Sequence, residues 1–214
     1  MRRAVAILFL AQALGTGACT EPARPPRASY LLVETARLKS PPTQALVDYF
    51  LGALQPGESV GMACLGTGHF NEKDVIARVS LDARPSVATQ QKHLLRKTLD
   101  QFSPFPRPGS HLDIAGALLY ALTCLNETGA EERYVILFVD FRREQIPESV
   151  REFPLQMDQC HVIAIDVNEG DLSGQPHDAA AKRLETWKDW VEAGGGLWEV
   201  VSDLKLLATI FPRS

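Results

Sequence analysis

The chain has 214 residues, of which 45% are hydrophobic and 22% are charged, as is typical of one globular domain with short appendages. Its formal net charge of −4, from 22 basic and 26 acidic residues, argues against a general nucleic-acid-binding protein. Four cysteines are too few for a small domain built on disulfides. No apolar run reaches the roughly 18 residues that a membrane-spanning helix needs.

Residues 1–18 have the pattern of a secretory signal peptide. Arg2 and Arg3 supply positive charge, residues 4–14 are almost entirely apolar, and small residues precede Cys19. The segment Gly17-Ala18-Cys19 resembles the lipobox of bacterial lipoproteins, which implies that Cys19 becomes the lipid-modified first residue of the mature chain. The alternative is ordinary secretory cleavage followed by an incidental cysteine.

The residues after Cys19 predict the membrane to which the protein is sorted and a spacer between the lipid and the domain. Thr20 stands where aspartate would retain such a lipoprotein in the inner membrane, so the resemblance implies an outer membrane, with the protein facing the periplasm. Residues 19–29 hold three prolines and no apolar periodicity, which is typical of a stiff tether. Residues 30–214 are predicted to form a single domain.

That domain is predicted to alternate strands and helices in the order β-α-β-β-α-α-β-α-β-α-β-α. The strands are expected at 30–35, 59–65, 74–81, 134–139, 160–167 and 197–201, and five of the helices at 41–54, 86–102, 110–125, 179–193 and 204–211. The loop between the second and third strands is too short for a helical crossover and predicts a hairpin. Ser110, with Asp113 three residues later, matches a capping box. This pattern predicts a doubly wound, mostly parallel sheet flanked by helices, with one antiparallel hairpin strand.

Most motifs that carry chemistry are absent. The chain has no Gly-x-Ser-x-Gly elbow, no P-loop, no Cys-x-x-Cys and no His-Glu-x-x-His. Gly66-Thr67-Gly68 lacks the third glycine of a dinucleotide fingerprint. We therefore predict no cofactor.

Two carboxylates nevertheless end neighbouring parallel strands. Glu34 ends the first strand and Asp140 ends the central one, so both are expected at the same edge of the sheet, where ligands bind in such folds. Two acids there could hold a hard cation such as Mg²⁺. The alternatives are that each acid caps a backbone amide or pairs with a neighbouring arginine such as Arg142.

The chain resembles a von Willebrand factor A-type domain. The resemblance rests, in order, on YLLVETARLKS, LQPGESVGMACLG, SHLDIAGAL, YVILFVDF, HVIAIDV and AGGGLWEVVSD, and spans about residues 30–211. It implies the fold predicted above and a role in binding. The family places a metal-ion-dependent adhesion site on Asp-x-Ser-x-Ser after the first strand, a threonine before the third helix and an aspartate after the central strand.

In this chain the family's metal-ligand positions are degenerate. They fall on Glu34, Ala36, Leu38, Leu112 (or Ser110 in a looser register) and Asp140. Ala36, Leu38 and Leu112 have no side-chain oxygen, and Mg²⁺ tolerates poor geometry badly. We predict a binding module that has no metal site.

The loops at the same edge are predicted to form the partner-binding surface. The residues proposed for it are Glu34, Arg37, Leu38, His111, Leu112, Asp140, Phe141 and Arg142. Leu38 and Leu112 are expected to add apolar area to this surface. The alternative is that Leu112 and Phe141 fold inward while the acids cap helices.

The cysteines of the mature domain also allow a prediction. Cys124 and Cys160 are both expected at the opposite edge, and an oxidising compartment would let them form a disulfide. The alternative is that both are buried free thiols. Cys64 is predicted to be a core residue.

Two classes of function follow from these patterns. The first is a lipid-anchored, non-catalytic protein-interaction domain of the bacterial cell envelope, which contacts the membrane through the lipid on Cys19 and binds no nucleic acid. The second is an envelope hydrolase or a divalent-metal-dependent enzyme or adhesion module that uses Glu34 and Asp140. The second needs a third polar group, such as His111, Ser110 or Asn168, within hydrogen-bond reach of the acids.

Overall fold

The computed structural model describes residues 26–103, 111–141, 156–165 and 177–212, without the side chains of 177–181. Its strands are β1 (Arg27–Glu34), β2 (Ser59–Leu65), β3 (Val75–Ser80), β4 (Glu132–Phe138), β5 (His161–Ile165) and β6 (Leu197–Val201). Its helices are α1 (Pro41–Ala53), α2 (Pro85–Gln101), α3 (Ile114–Thr128), α4 (His177–Ala193) and α5 (Leu204–Ile210). Short 3₁₀ turns occupy Thr35–Arg37 and Glu72–Asp74.

The strands form one six-stranded sheet in the order β3-β2-β1-β4-β5-β6. β1 pairs in parallel with β2 and β4, β5 pairs in parallel with β4 and β6, and β3 runs antiparallel to β2. The doubly wound, mostly parallel sheet with one antiparallel hairpin strand is therefore confirmed.

Both faces of the sheet are buried, as the apolar central strands require. One core lies beneath α3 and α4 and the other beneath α1, α2 and α5. Alternate residues of β1 enter the two cores, with Leu32 on the α3 side and Leu31 on the α1 side. The sheet is thus a rigid layer that fixes the positions of the loops at its ends.

β1 begins three residues earlier than the predicted start at Tyr30, so part of the predicted tether belongs to the domain. Arg27 is buried because its Nε lies 2.9 Å from Glu58 Oε1 and its Nη2 donates to Ala53 O at 2.7 Å. Its guanidinium also lies 4.4 Å above the ring of Phe211. An arginine with these partners can enter the sheet, which the local sequence does not show.

The start of α3 also differs from the prediction. The helix begins at Ile114, and its cap is Asp113, whose side chain accepts from Gly116 N at 2.8 Å. The proposed cap Ser110 lies outside the described residues, and so do residues 142–155, between the fourth and fifth strands, where a further helix was expected. Within the described part of the chain, no helix is long and apolar enough to cross a membrane.

Candidate functional site

The candidate site lies where the carboxyl ends of β1 and β4 meet. In a sheet of this strand order the connections leave β1 and β4 in opposite directions, which opens a crevice at that point. We call this region the candidate edge and define it by the turn 34–37, the loop 66–70, residues 111–113 and residues 140–141.

The structure brings Glu34 and Asp140 together, as their positions after neighbouring strands predicted. The contact joins a side chain to the backbone, because Glu34 Oε2 accepts a hydrogen bond from Asp140 N at 3.0 Å. The Glu34 carboxylate is 3% exposed. It acts as a buried acceptor that ties the end of β1 to the chain leaving β4, as the capping alternative foresaw.

Arg37 supplies the opposite charge beside this carboxylate. Arg37 Nε lies 3.6 Å from Glu34 Oε2, and the guanidinium centre lies 5.5 Å from the centroid of the Phe138 ring. The 3₁₀ turn makes this pairing possible because residues three apart project to the same side of such a turn. The result is an ion pair set over the end of β4.

The loop after β2 is fastened to the segment before α3. Gly68 N donates to His111 O at 3.0 Å, and Thr67 and Gly68 form isolated bridges with Leu112. Asp113 Oδ2 also accepts from Phe70 N at 2.9 Å. The candidate edge is therefore held together by hydrogen bonds that link segments far apart in sequence.

Asp113 and the loop 66–70 are the parts of the site that the sequence analysis missed. In the sequence the loop matches only part of a dinucleotide fingerprint, and Asp113 is only the third residue after a serine cap. An aspartate directly before an apolar helical stripe is a sufficient signal for a cap. Its second bond, to Phe70 N, has no local signal.

The expectation that Leu38 and Leu112 add exposed apolar area is wrong. Leu38 is 4% exposed in the core beneath α1 and α2, and Leu112 is 3% exposed in the core beneath α3. Phe141 is also a core residue at 8% exposure, with its ring 6.0 Å from those of Trp187 and Trp198. The alternative that Leu112 and Phe141 fold inward is what the structure shows.

The remaining predicted residues divide by exposure. Ala36 and His111 are exposed, whereas Arg37 and Asp140 are half-buried. Arg142 lies outside the described residues. His69, within the candidate edge, is also exposed, and Lys39 is exposed next to it, so the accessible surface is mostly polar and mixed in charge.

The residues present do not fit the family's cation site. Ala36 carries no oxygen, Leu38 and Leu112 face the two cores, and the Glu34 carboxylate is engaged by Arg37 and by Asp140 N. Mg²⁺ requires a near-octahedral set of oxygen ligands, which these side chains cannot supply. Among the described residues there is also no group of three or more His, Cys, Asp or Glu side chains that could hold a metal ion.

The predicted disulfide is not formed, since Cys64, Cys124 and Cys160 are buried free thiols. Cys124 lies on α3 near Tyr120 and the β3 residue Arg78, whereas Cys160 directly precedes β5, on the other side of β4. The two thiols therefore lie over different parts of the sheet. Burial raises the pKa of Cys160 to about 12 and also raises the pKa of Cys124.

Comparisons with solved structures give distant likenesses. No protein-family model matches the chain, and no curated protein matches it. It is similar to a conserved hypothetical protein, BatB, from Bacteroides thetaiotaomicron, at 14% identity over 87% of this chain and 95% of that one, with a TM-score of 0.48. It is similar to the N-terminal domain of TFIIH p34 at 13% identity over 87% and 96% of the two chains, with a TM-score of 0.43. The fold class given above comes from the strand order and strand directions of this chain.

Proposed function

We propose that this chain is a lipid-anchored, non-catalytic protein-interaction domain of a bacterial cell envelope, which docks its partner at the candidate edge. The observation that carries the proposal is the engagement of Glu34. Its carboxylate accepts a hydrogen bond from Asp140 N and faces Arg37, so the buried acid at the end of β1 serves to fix the loops. A fixed set of loops on a rigid sheet suits recognition of a protein surface.

The second class of function, an enzyme using Glu34 and Asp140, gains no support from the described residues. Catalysis would need a third polar group converging on the acids. His111 is exposed, and its carbonyl accepts from Gly68 N, while Ser110 and Asn168 lie outside the described residues. We therefore retain the interaction domain.

The position of Arg27 at the amino edge of the sheet supports the same proposal. Arg27 begins β1 at the amino edge of the sheet, and its Nη1 donates to Pro212 O there at 3.3 Å. Glu34 ends the same strand, about 23 Å away at the rise of an extended strand. A lipid on Cys19, followed by the proline-rich tether, would bring the amino edge towards the outer membrane. The candidate edge would then face the periplasm, where a partner can reach it.

Fractionation tests the anchor. We expect Cys19→Ser to yield a soluble exported protein or an unprocessed precursor that takes up no lipid label. A variant that still fractionates with membranes and is labelled by lipid would contradict the anchor.

Capture from native envelopes tests the docking edge. Ala36→Glu adds a bulky charge to an exposed residue of the candidate edge without touching the core. Ala83→Glu is the matched control, because Ala83 is exposed near Leu81, whose backbone pairs with Glu58 at the amino edge. We expect Ala36→Glu to lose a partner that wild type and Ala83→Glu retain. Equal capture by all three proteins would place the binding surface elsewhere.

A further inference from the structure

The buried carboxylate of the candidate edge needs a source of positive charge. An ionised carboxylate removed from water is costly unless it is paired and hydrogen-bonded. The Glu34 side chain is removed from water in this way, and the residues around it do not fit a divalent cation. Two of the groups that lie against it are Arg37 Nε at 3.6 Å and the amide of Asp140 at 3.0 Å.

We infer that Arg37 is the permanent counter-ion of Glu34 and holds the candidate edge in its docking form without any divalent cation. The inference deepens the proposed function, on which its docking part rests, by stating how the same edge is regulated. An arginine remains charged at every physiological pH. A site neutralised in this way is therefore constitutive and does not respond to the supply of Mg²⁺ or Ca²⁺.

The backbone around Arg37 is fixed as such a role requires. Its carbonyl accepts hydrogen bonds from Ser40 N at 2.8 Å and from Thr43 Oγ1 at 2.7 Å, which attaches it to the first turn of α1. Leu38, the next residue, is anchored in the core. The Arg37 side chain is 18% exposed, and its guanidinium lies over Phe138 at the end of β4. The 3₁₀ turn thus holds the positive charge of Arg37 at the junction of β1 and β4.

The test is a double-variant cycle with thermal melts of the full-length protein. The variants are Arg37→Met, Glu34→Gln and their combination, each measured in excess MgCl₂ and in excess chelator. Arg37→Met keeps the apolar stem but removes the charge, and we expect its melting temperature to fall by about 5 °C or more. Glu34→Gln in the same chain should recover at least half of that loss, because the neutral amide no longer needs a counter-ion. Wild type should melt at the same temperature in both solutions.

Arg84→Met is the matched control. Arg84 also pairs with a nearby acid, with Nε 2.9 Å from Asp82 Oδ1, but this pair is exposed. We expect its loss to leave the melting temperature unchanged. If Arg37→Met itself does not fold, the combined variant supplies the result, because a folded Glu34→Gln/Arg37→Met protein supports the pairing and an unfolded one overturns it.

Two further outcomes of the melting experiments would overturn the inference. One is a wild-type melting temperature that rises with MgCl₂, and the other is an Arg37→Met protein that melts like wild type. Capture of a partner from native envelopes distinguishes a failure of this inference from a failure of the proposed function. If wild type captures no partner but the cycle shows coupling, docking fails and the counter-ion stands. If wild type captures its partner equally in MgCl₂ and chelator but the cycle shows no coupling, only the counter-ion fails.

Discussion

The substitution Phe141→Ala tests whether Phe141 is a core residue or a docking residue of the candidate edge. Phe141 is 8% exposed, and its ring lies 6.0 Å from both Trp187 and Trp198. Emptying a buried phenylalanine site costs about 3–5 kcal/mol, and the slight exposure favours the lower end, about 3 kcal/mol. For a chain of this length that loss corresponds to a fall in melting temperature of about 6–12 °C.

Urea unfolding followed by tryptophan fluorescence is the assay, because the chain has three tryptophans and all of them, Trp187, Trp190 and Trp198, belong to one aromatic cluster. We expect the midpoint to fall by about 1 M or more while the slope stays unchanged. Leu119→Ala is the control, since Leu119 is 51% exposed and should cost less than about 0.5 kcal/mol. A Phe141→Ala protein that unfolds like wild type but loses its partner would refute the burial of Phe141 and make it a docking residue.

Three further predictions concern the body of the domain. Arg27→Met should lower the free energy of unfolding by about 3–5 kcal/mol in urea titrations, because it leaves the buried Glu58 without its arginine. If Arg27→Met unfolds at the same urea midpoint as wild type, the pair contributes nothing to stability. Gly61→Ala should cost about 1–3 kcal/mol, since a Cβ there would lie 2.2 Å from Tyr30 Cε2, and an unchanged melting curve would contradict this packing. Burial, reinforced by Asp74, raises the pKa of Cys64 from 9.0 to about 12. The native thiol therefore keeps its proton over a pH interval in which the unfolded thiol loses it, so the free energy of unfolding should fall as pH rises from 9 to 11. Cys64→Ala should reduce this fall by about 1.4 kcal/mol per pH unit, and equal pH profiles would contradict the shift.

Strand positions were predictable wherever apolar runs are bounded by turns. The boundaries of β2 and β6 match the sequence prediction because Gly57 and the glycines at 194–196 mark them locally. The start of β1 was missed because an arginine in a proline-rich segment is typical of a tether. Its neutralising partner Glu58 is 31 residues away, and no local pattern can reveal such a pair.

The sequence predicts which strand ends meet at the candidate edge, but it does not predict which side chains of that edge are buried. The convergence of Glu34 and Asp140 follows from the parallel pairing of β1 with β4, because neighbouring parallel strands end at the same edge of the sheet. The burial of Leu38 depends on how α1 and α2 close over the sheet, and that of Phe141 depends on two tryptophans more than 40 residues away. The role of Asp113 likewise depends on where the loop 66–70 returns.

The docking of a partner at the candidate edge is tested most directly by site-specific photo-crosslinking in native envelopes. A photoreactive residue is introduced at Ala36, on the candidate edge, and in a parallel strain at Ala83, which is also exposed and lies between β3 and α2. We predict one discrete crosslinked protein from position 36, formed equally with MgCl₂ and with chelator, and none from position 83. The same product from both positions, or a product from position 83 alone, would contradict docking at this edge.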